Sequence, residues 1–142
     1  MEFTSIARVS KKHVDELGHL NHVFALQILE YARDDWYTEA GLWEGRRWSG
    51  EENLATLVLN VNYNYRLECF LDEELKVVTA AVGRGSKSFI LAQLIVKPDG
   101  RVAIDGTTTS LIMDMKTHLT LPVPECLRRY LPAREQAASK TF

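Results

Sequence analysis

The sequence predicts an α+β domain in which one long helix packs on an antiparallel sheet. Three observations support this prediction: helical signals between Asn21 and Gly41, period-two alternation from residue 57 onward, and short connections between the later strand candidates. Short connections require neighbouring strands to be antiparallel. One helix covers only one face of such a sheet, so we expect a second copy of the chain to cover the other face.

The first elements follow from local signals. Residues 2–10 alternate in character and predict a strand, whereas residues 11–20 have no clear period and predict a loop. Asn21 is a good N-cap because its side-chain oxygen can accept an amide N–H of the first turn, and Gly41 suits the position just past a helix end. A long helix is expected between them. Its first half is apolar nearly all round and must be enclosed.

Four strand candidates follow a connector. Residues 42–53 are rich in glycine and charge, contain two tryptophans and predict a connector or flap. One face of the next strand is expected to carry five side chains: Leu57, Leu59, Val61, Tyr63 and Tyr65. Three further strands are expected at residues 75–82, 89–97 and 102–115, joined by turns at 83–86 and 98–100. Pro124 predicts the start of a short helix over 125–131.

Length and composition indicate one globular domain. The 142 residues are 46% hydrophobic and 25% charged, which excludes a disordered or fibrous chain. We expect a domain over residues 1–132 and a frayed tail over 133–142. A net charge of −2 gives no electrostatic footprint for nucleic acid or a membrane surface, so neither is an expected partner.

The expected compartment is the cytoplasm. The N-terminus lacks the apolar core of a signal peptide, and no segment approaches 18 consecutive apolar residues. Cys69 and Cys126 have no CxxC spacing and are expected to be reduced thiols.

The segment DELGHLNH, which begins at Asp15, places a carboxylate, two imidazoles and an amide at the mouth of the predicted helix. The helix N-terminus offers unpaired N–H groups and a positive dipole end, which suit a carbonyl oxygen that becomes an oxyanion. Asp15 could activate water or attack directly. No metal site is expected, because His19 and His22 lack a convincing third ligand. No G-x-S-x-G elbow is present.

This segment resembles the D-x-x-G-H-x-N signature of hotdog-fold acyl-CoA thioesterases of the 4-hydroxybenzoyl-CoA thioesterase type. The family's E-x-A-R run on the central helix is here Glu30-Tyr31-Ala32-Arg33, and Tyr65-Arg66-Leu67-Glu68 is similar to its later turn. The resemblance covers residues 1–131. One departure is Asp72, where the family usually has glycine, and another is Phe24-Ala25, where a tyrosine often lies.

The resemblance implies a hotdog fold, with a long central helix wrapped by a five- or six-stranded antiparallel sheet. It implies a homodimer or a dimer of dimers that hydrolyses acyl-CoA or acyl-carrier-protein thioesters without a cofactor, since coenzyme A is part of the substrate. Asp15 matches the catalytic carboxylate and Asn21 the signature asparagine. His22 matches the helix-start position whose backbone amide binds the thioester carbonyl. Whether Asp15 is nucleophile or general base stays open.

Two residues of the signature loop and helix have competing interpretations. His19 is more often an orienting residue of the loop than an acid or base. Glu30 is an alternative general base, as in hotdog thioesterases with a glutamate on this helix. The favoured interpretation of Glu30 is a salt bridge with Arg33 or Arg66, since buried carboxylates are normally paired.

Candidate substrate-binding residues lie on the later strands. Tyr63 and Tyr65 could line an acyl cavity, although alternating aromatic residues usually belong to a core or an interface. The turn with Arg84, Lys87 and Ser88 could bind the phosphates of coenzyme A, although such basic turns are more often solvated.

Two other functions stay open at this point. A hotdog hydratase or dehydratase would use a histidine and a carboxylate on an enoyl or 3-hydroxyacyl thioester. A non-catalytic module would bind acyl-CoA as a sensor.

Overall fold

The computed structural model describes residues 1–44, 47–48 and 54–133. Its strands are β1 (Glu2–Arg8), β2 (Trp43–Glu44), β3 (Arg47–Trp48), β4 (Leu54–Tyr65), β5 (Glu74–Arg84), β6 (Ser88–Val96), β7 (Val102–Asp114) and β8 (Thr120–Leu121). Its helices are α1 (His22–Glu39), α2 (Glu125–Arg128) and a 3-10 turn (Lys11–His13).

The main sheet has six strands, and its order is β1-β5-β6-β7-β4, with β8 paired to the end of β7. All of these pairs are antiparallel. The 18-residue helix α1 packs against β1 and β5. This is the predicted hotdog architecture, and the predicted α+β class is confirmed.

Two apolar clusters lie under the two halves of α1. Ile28 and Leu29 pack with strand residues such as Val77, whereas Trp36 and Tyr37 pack in a second cluster near α2. The first half of α1 is not enclosed within one protomer, because Val23 is 58% exposed. The predicted enclosure of this half of α1 is therefore incomplete within the described residues.

Strand β4 contains a bulge that the sequence did not predict. The register with β7 shifts between Val58 and Asn60, so Leu59 has no direct partner. Leu57 lies opposite Leu111, and Val61 lies opposite Thr108. Since side chains alternate along β7, Leu57 points to the other face from Val61, and the predicted common face is wrong for Leu57.

Other boundaries differ by a few residues from the sequence expectations. Gly83 and Arg84 belong to β5 rather than to a turn, and α2 ends at Arg128. In the connector, β2 and β3 form a two-stranded ribbon, while residues 45–46 and 49–53 lie outside the described residues. Of the predicted frayed tail, only Ala133 is described; residues 134–142 lie outside the described residues.

Within the described ranges, no helix is long and apolar enough to cross a membrane. Cys69 and Cys126 are free thiols.

Candidate active site

The loop between β1 and α1 folds back as a small hairpin around Asp15. A bridge pairs Val14 with Leu20, and the Asp15 N–H donates to the His19 carbonyl at 3.0 Å. Gly18 N–H donates to the Asp15 carbonyl at 3.0 Å, and Gly18 has φ of 76°. Glycine adopts this left-handed conformation without strain, which explains its place in the signature.

The Asp15 carboxylate is oriented by the backbone of its own loop. Its Oδ1 accepts hydrogen bonds from the N–H groups of Leu17 at 3.0 Å and His19 at 3.1 Å. Within the described part of the chain, Oδ2 accepts no hydrogen bond, and the side chain is exposed. One oxygen is therefore fixed, and the other is free to attack an electrophile or to accept a proton.

The start of α1 leaves the amides of His22 and Phe24 without an acceptor among the described residues. Asn21 is the predicted N-cap: its Oδ1 accepts the Val23 N–H at 2.9 Å, and its carbonyl accepts the Ala25 N–H at 3.0 Å. The His22 N–H has no acceptor among the residues that the structure describes. A free N–H at the positive end of a helix is a natural donor to a developing oxyanion.

We expect Asn21→Ala to destabilise the fold by about 1 kcal/mol, because the Val23 N–H loses its acceptor. Asn21→Ser is the matched control, because serine also caps helices well and should retain most of this stability. Denaturant titration of both variants measures the difference. If both variants are as stable as the wild-type protein, the cap contributes nothing to folding.

A cavity of about 200 Å³ adjoins the helix start. It is lined by Leu20, His22, Ala25, Tyr65, Arg66, Leu67, Glu68, Cys69 and Ile104. The cavity therefore combines apolar walls with polar groups. Of the two tyrosines proposed from the sequence to contact the acyl group, Tyr65 lies here.

Three groups in or next to this cavity have pKa values that are shifted from their ordinary values. Partial burial raises the pKa of Tyr65, so its phenol remains a neutral donor at neutral pH. Burial also raises the pKa of the Cys69 thiol, which disfavours the nucleophilic thiolate. The hydrogen bond from Arg66 holds the pKa of the Asp105 carboxyl below its usual range.

A second segment, residues 68–73, packs along the signature loop; we call it the clamp segment. His19 Nδ1 lies 3.1 Å from Glu68 Oε1, and the His19 ring meets the Phe70 ring edge-on, with centroids 5.0 Å apart. Leu20 N–H donates to the Cys69 carbonyl at 2.8 Å. These contacts fit an orienting role for His19.

Glu30 has neither of the salt bridges that the sequence favoured. The Arg33 guanidinium donates to Tyr63 Oη at 3.0 Å and to Gln93 Oε1 at 3.2 Å, while Arg66 pairs with Asp105. The predicted salt bridge of Glu30 is wrong because both arginines bind residues that are distant in the sequence. Glu30 is exposed and lies eight residues after His22, about 12 Å along the helix axis. Within one protomer it does not reach the helix start.

Tyr63 belongs to a buried polar network instead of the cavity at the helix start. Its hydroxyl lies 2.5 Å from Gln93 Oε1 and 2.8 Å from Thr108 Oγ1. Its ring packs over Gly106, where an added Cβ would lie 2.6 Å from Tyr63 Cδ1. Tyr63 also borders a groove between α1 and β4 that contains Glu30.

The junction of β5 and β6, which includes Arg84, Lys87 and Ser88, lies at the opposite end of the sheet from the signature loop. The first residue of β5, Glu74, pairs with Arg8 beside the signature loop, and Arg84 ends the same strand. Ten residues of extended strand separate these ends by roughly 30 Å. Within one protomer, the structure does not bring this junction to Asp15.

Comparison with known proteins places this geometry in a family. Residues 9–131 match the family model of the thioesterase-like superfamily. This chain belongs to the thioesterase-like superfamily. It is 32% identical over 125 residues to the long-chain acyl-CoA thioesterase FadM of Escherichia coli (strain K12), a match that covers 87% of this chain and 92% of FadM.

Solved structures share the fold of this chain. YbaW, described as a probable thioesterase from Escherichia coli, has a TM-score of 0.75 at 30% identity and covers 90% of this chain and 98% of its own. SAV2348 from Staphylococcus aureus, in complex with CoA, has a TM-score of 0.81 at 17% identity. The match covers 94% of this chain and 87% of SAV2348. The hotdog fold is thus shared with known members.

The departure from the thioesterase family pattern at Asp72 has a simple structural basis. Asp72 has φ of 69°, the left-handed region that glycine adopts without strain. Aspartate tolerates this region better than most residues with a side chain. The turn is therefore preserved: Asp72 N–H donates to the Val9 carbonyl at 2.8 Å.

Across the described ranges, no three His, Cys, Asp or Glu side chains lie together in a way that could hold a metal ion.

Sequence reasoning missed Lys97, which is 6% exposed and lies behind the clamp segment. Its ammonium donates to the Glu68 carbonyl, lies 3.1 Å from Glu73 Oε1 and sits 4.7 Å from the centre of the Phe70 ring. Lys97 directly precedes the Pro98-Asp99-Gly100 turn, where a lysine is normally solvated. No pattern in the neighbouring sequence distinguishes Lys97 from an exposed lysine.

Proposed function

We propose that this member of the thioesterase-like superfamily hydrolyses acyl-CoA thioesters, or the equivalent acyl-carrier-protein thioesters, to a free acid and a thiol. The observation that carries the proposal is the free His22 N–H at the positive end of α1, beside a cavity and directly after the loop that orients Asp15. The similarity to FadM, named as a long-chain acyl-CoA thioesterase, supports the substrate class.

The proposed reaction uses two groups. The thioester carbonyl oxygen accepts the His22 N–H, which stabilises negative charge as the carbonyl carbon becomes tetrahedral. The free Oδ2 of Asp15 attacks that carbon and forms an acyl anhydride that water hydrolyses, or it removes a proton from the attacking water. The C–S bond breaks, and the thiolate leaves toward solvent and takes up a proton.

Release of free thiol from acyl-CoA tests this function. With purified protein, we expect many turnovers per active site and one free acid for each thiol, across a series of short, long and aromatic acyl-CoAs. Appearance or loss of an enoyl chromophore without thiol release would indicate a hydratase or dehydratase instead. Stoichiometric acyl-CoA binding without turnover would indicate a binding module.

We also propose that the working unit is a dimer joined through β4, with a dimer of dimers as a further assembly. β4 is a twelve-residue edge strand that exposes apolar side chains, among them Leu59, which is 58% exposed. Leu26 and Val23 of α1 are also exposed. A long apolar edge strand promotes aggregation unless another strand covers it, and a two-fold axis lets β4 pair with its own copy.

The dimer makes a direct prediction about assembly. We expect light scattering at micromolar concentration to give at least twice the monomer mass, with an interface above roughly 2,000 Å². Val61→Glu places a charge on the exposed edge strand and should shift the protein toward monomer. A wild-type monomer with full activity would contradict the proposed assembly.

The same dimer gives a role to the basic turn at the far end of the sheet. Antiparallel pairing of β4 with its copy brings the Leu54 end of one strand beside the Tyr65 end of the other. The turn with Arg84 and Lys87 lies at the Leu54 end of its own sheet. A bound coenzyme A could then extend from one protomer's cavity toward Lys87 of the partner subunit.

We expect Arg84→Ala combined with Lys87→Ala to raise KM for acyl-CoA by about tenfold or more and to leave kcat nearly unchanged. Contacts with the coenzyme phosphates are equally strong in the ground and transition states, which is why they act on KM. A short thioester without the nucleotide is the control substrate and should not respond. An unchanged KM would mean that the turn is only solvated.

A further inference from the structure

A buried ammonium lies behind the loop that carries the candidate catalytic residues. This group is the side chain of Lys97, which is 6% exposed. Lys97 lies far from Asp15 in the sequence. Burial of an ammonium costs free energy that an apolar side chain would not, and buried ion pairs are often replaceable without loss of stability. Stability alone therefore gives no reason for a lysine at this position.

The Lys97 ammonium organises the clamp segment through three contacts. It donates to the Glu68 carbonyl, forms a salt bridge with Glu73 and lies against the face of the Phe70 ring. Glu73 Oε1 also accepts the Phe70 N–H at 2.6 Å. One cation therefore fixes the backbone at Glu68, the ring of Phe70 and the carboxylate that holds the Phe70 amide.

The clamp segment in turn holds the signature loop. Glu68 and Phe70 contact the His19 side chain, and Leu71 N–H donates to the Gly18 carbonyl at 3.1 Å. The His19 backbone bonds Asp15 twice, since its carbonyl accepts the Asp15 N–H and its N–H donates to Asp15 Oδ1. A continuous set of contacts thus leads from Lys97 to the Asp15 carboxylate.

We propose that Lys97 is a positioning residue for thioester hydrolysis, which acts by holding the clamp segment and thereby the Asp15 carboxylate and the start of α1. The inference rests on the proposed function. Lys97 touches no substrate in this role. Its removal displaces the loop slightly without unfolding the sheet, and such small misplacements lower the rate of catalysis more than they weaken substrate binding.

The test compares Lys97→Met with Lys97→Arg and with Lys76→Met, an exposed lysine on β5 that serves as the charge-loss control. We expect Lys97→Met to lower kcat by about tenfold to 10²-fold with KM within about threefold. Lys97→Arg, which retains a cation, should recover part of kcat, and Lys76→Met should behave as wild type. Wild-type kcat in folded Lys97→Met would overturn the proposal.

A combined variant keeps the test valid if Lys97→Met folds poorly. Lys97→Met with Glu73→Gln leaves no unpaired buried charge, and glutamine retains an oxygen for the Phe70 N–H. We expect this double variant to fold and still to lose kcat, because the Glu68 carbonyl and the Phe70 ring lose the ammonium. Full kcat in this variant would contradict the proposal.

A double-mutant cycle separates positioning from a general structural role. If Lys97 acts through Asp15, Lys97→Met should lower kcat by a smaller factor in an Asp15→Asn background than in the wild type. Fully additive losses would contradict a role through Asp15.

Hydrogen exchange gives a readout that is independent of activity. In Lys97→Met, we expect the amides of Leu20 and Leu71 to exchange at least about tenfold faster, while amides between β6 and β7 stay protected. Unchanged exchange at both amides would overturn the positioning role, even if the wild-type protein released no thiol. Absence of thiol release in the wild type would instead refute the proposed function.

Discussion

Asp15→Asn is expected to lower kcat by about 10²-fold or more and to change KM little. The substitution removes a nucleophile or base that acts only in the transition state. It preserves the loop, because an asparagine oxygen can still accept the N–H groups of Leu17 and His19 that Oδ1 accepts in the wild type. Loss of activity in this variant would therefore report on chemistry rather than on loop geometry.

Steady-state thiol release by the purified variant measures this effect. Glu16→Gln is the matched control, since Glu16 is an exposed carboxylate in the same loop, and it should retain nearly full turnover. Folding of both variants is checked by circular dichroism. Near-wild-type turnover in folded Asp15→Asn would remove Asp15 from the mechanism.

His22→Pro should lower kcat by about 10²-fold or more, because it removes the amide hydrogen that we assign to the thioester carbonyl. Proline is well tolerated at the first helical position. Asn21 has φ of −70° and ψ of 138°, which is the conformation that a residue before proline prefers. The substitution removes no hydrogen bond within the described residues, since the His22 N–H has no acceptor there. We therefore expect the variant to fold and dimerise.

His22→Ala separates the backbone from the ring. Alanine retains the amide, so its kcat should stay within about tenfold of wild type. If alanine is as damaging as proline, the imidazole is chemically required and the backbone assignment is wrong. If proline is harmless, the carbonyl binds elsewhere.

The parts of the fold that depend on local chemistry could be predicted from the sequence. Asn21 caps the helix as expected, and Gly41 follows the helix end with a positive φ of 89°. Both signals act over a few residues, as do the turn signals around Gly100. Asp15 and His22 could be singled out as a candidate site because one short segment, which resembles a family signature, contains both residues.

The features that the sequence did not reveal depend on contacts between distant segments. The bulge at Leu59 reverses the face of one end of β4, and only the pairing with β7 shows it. Arg33 binds Tyr63 and Gln93, so the expected partner of Glu30 was wrong. The sequence around Lys97 indicates an exposed lysine, and only the contacts with Glu68 and Phe70 of the clamp segment show that it is buried.

A crystal structure of Asp15→Asn with an unhydrolysed acyl-CoA tests the central claim most directly. We expect the thioester carbonyl oxygen to lie about 2.7–3.1 Å from the His22 backbone nitrogen, with the side chain at position 15 about 3–3.5 Å from the carbonyl carbon. A carbonyl oxygen that binds another group while the His22 N–H stays free would contradict the account.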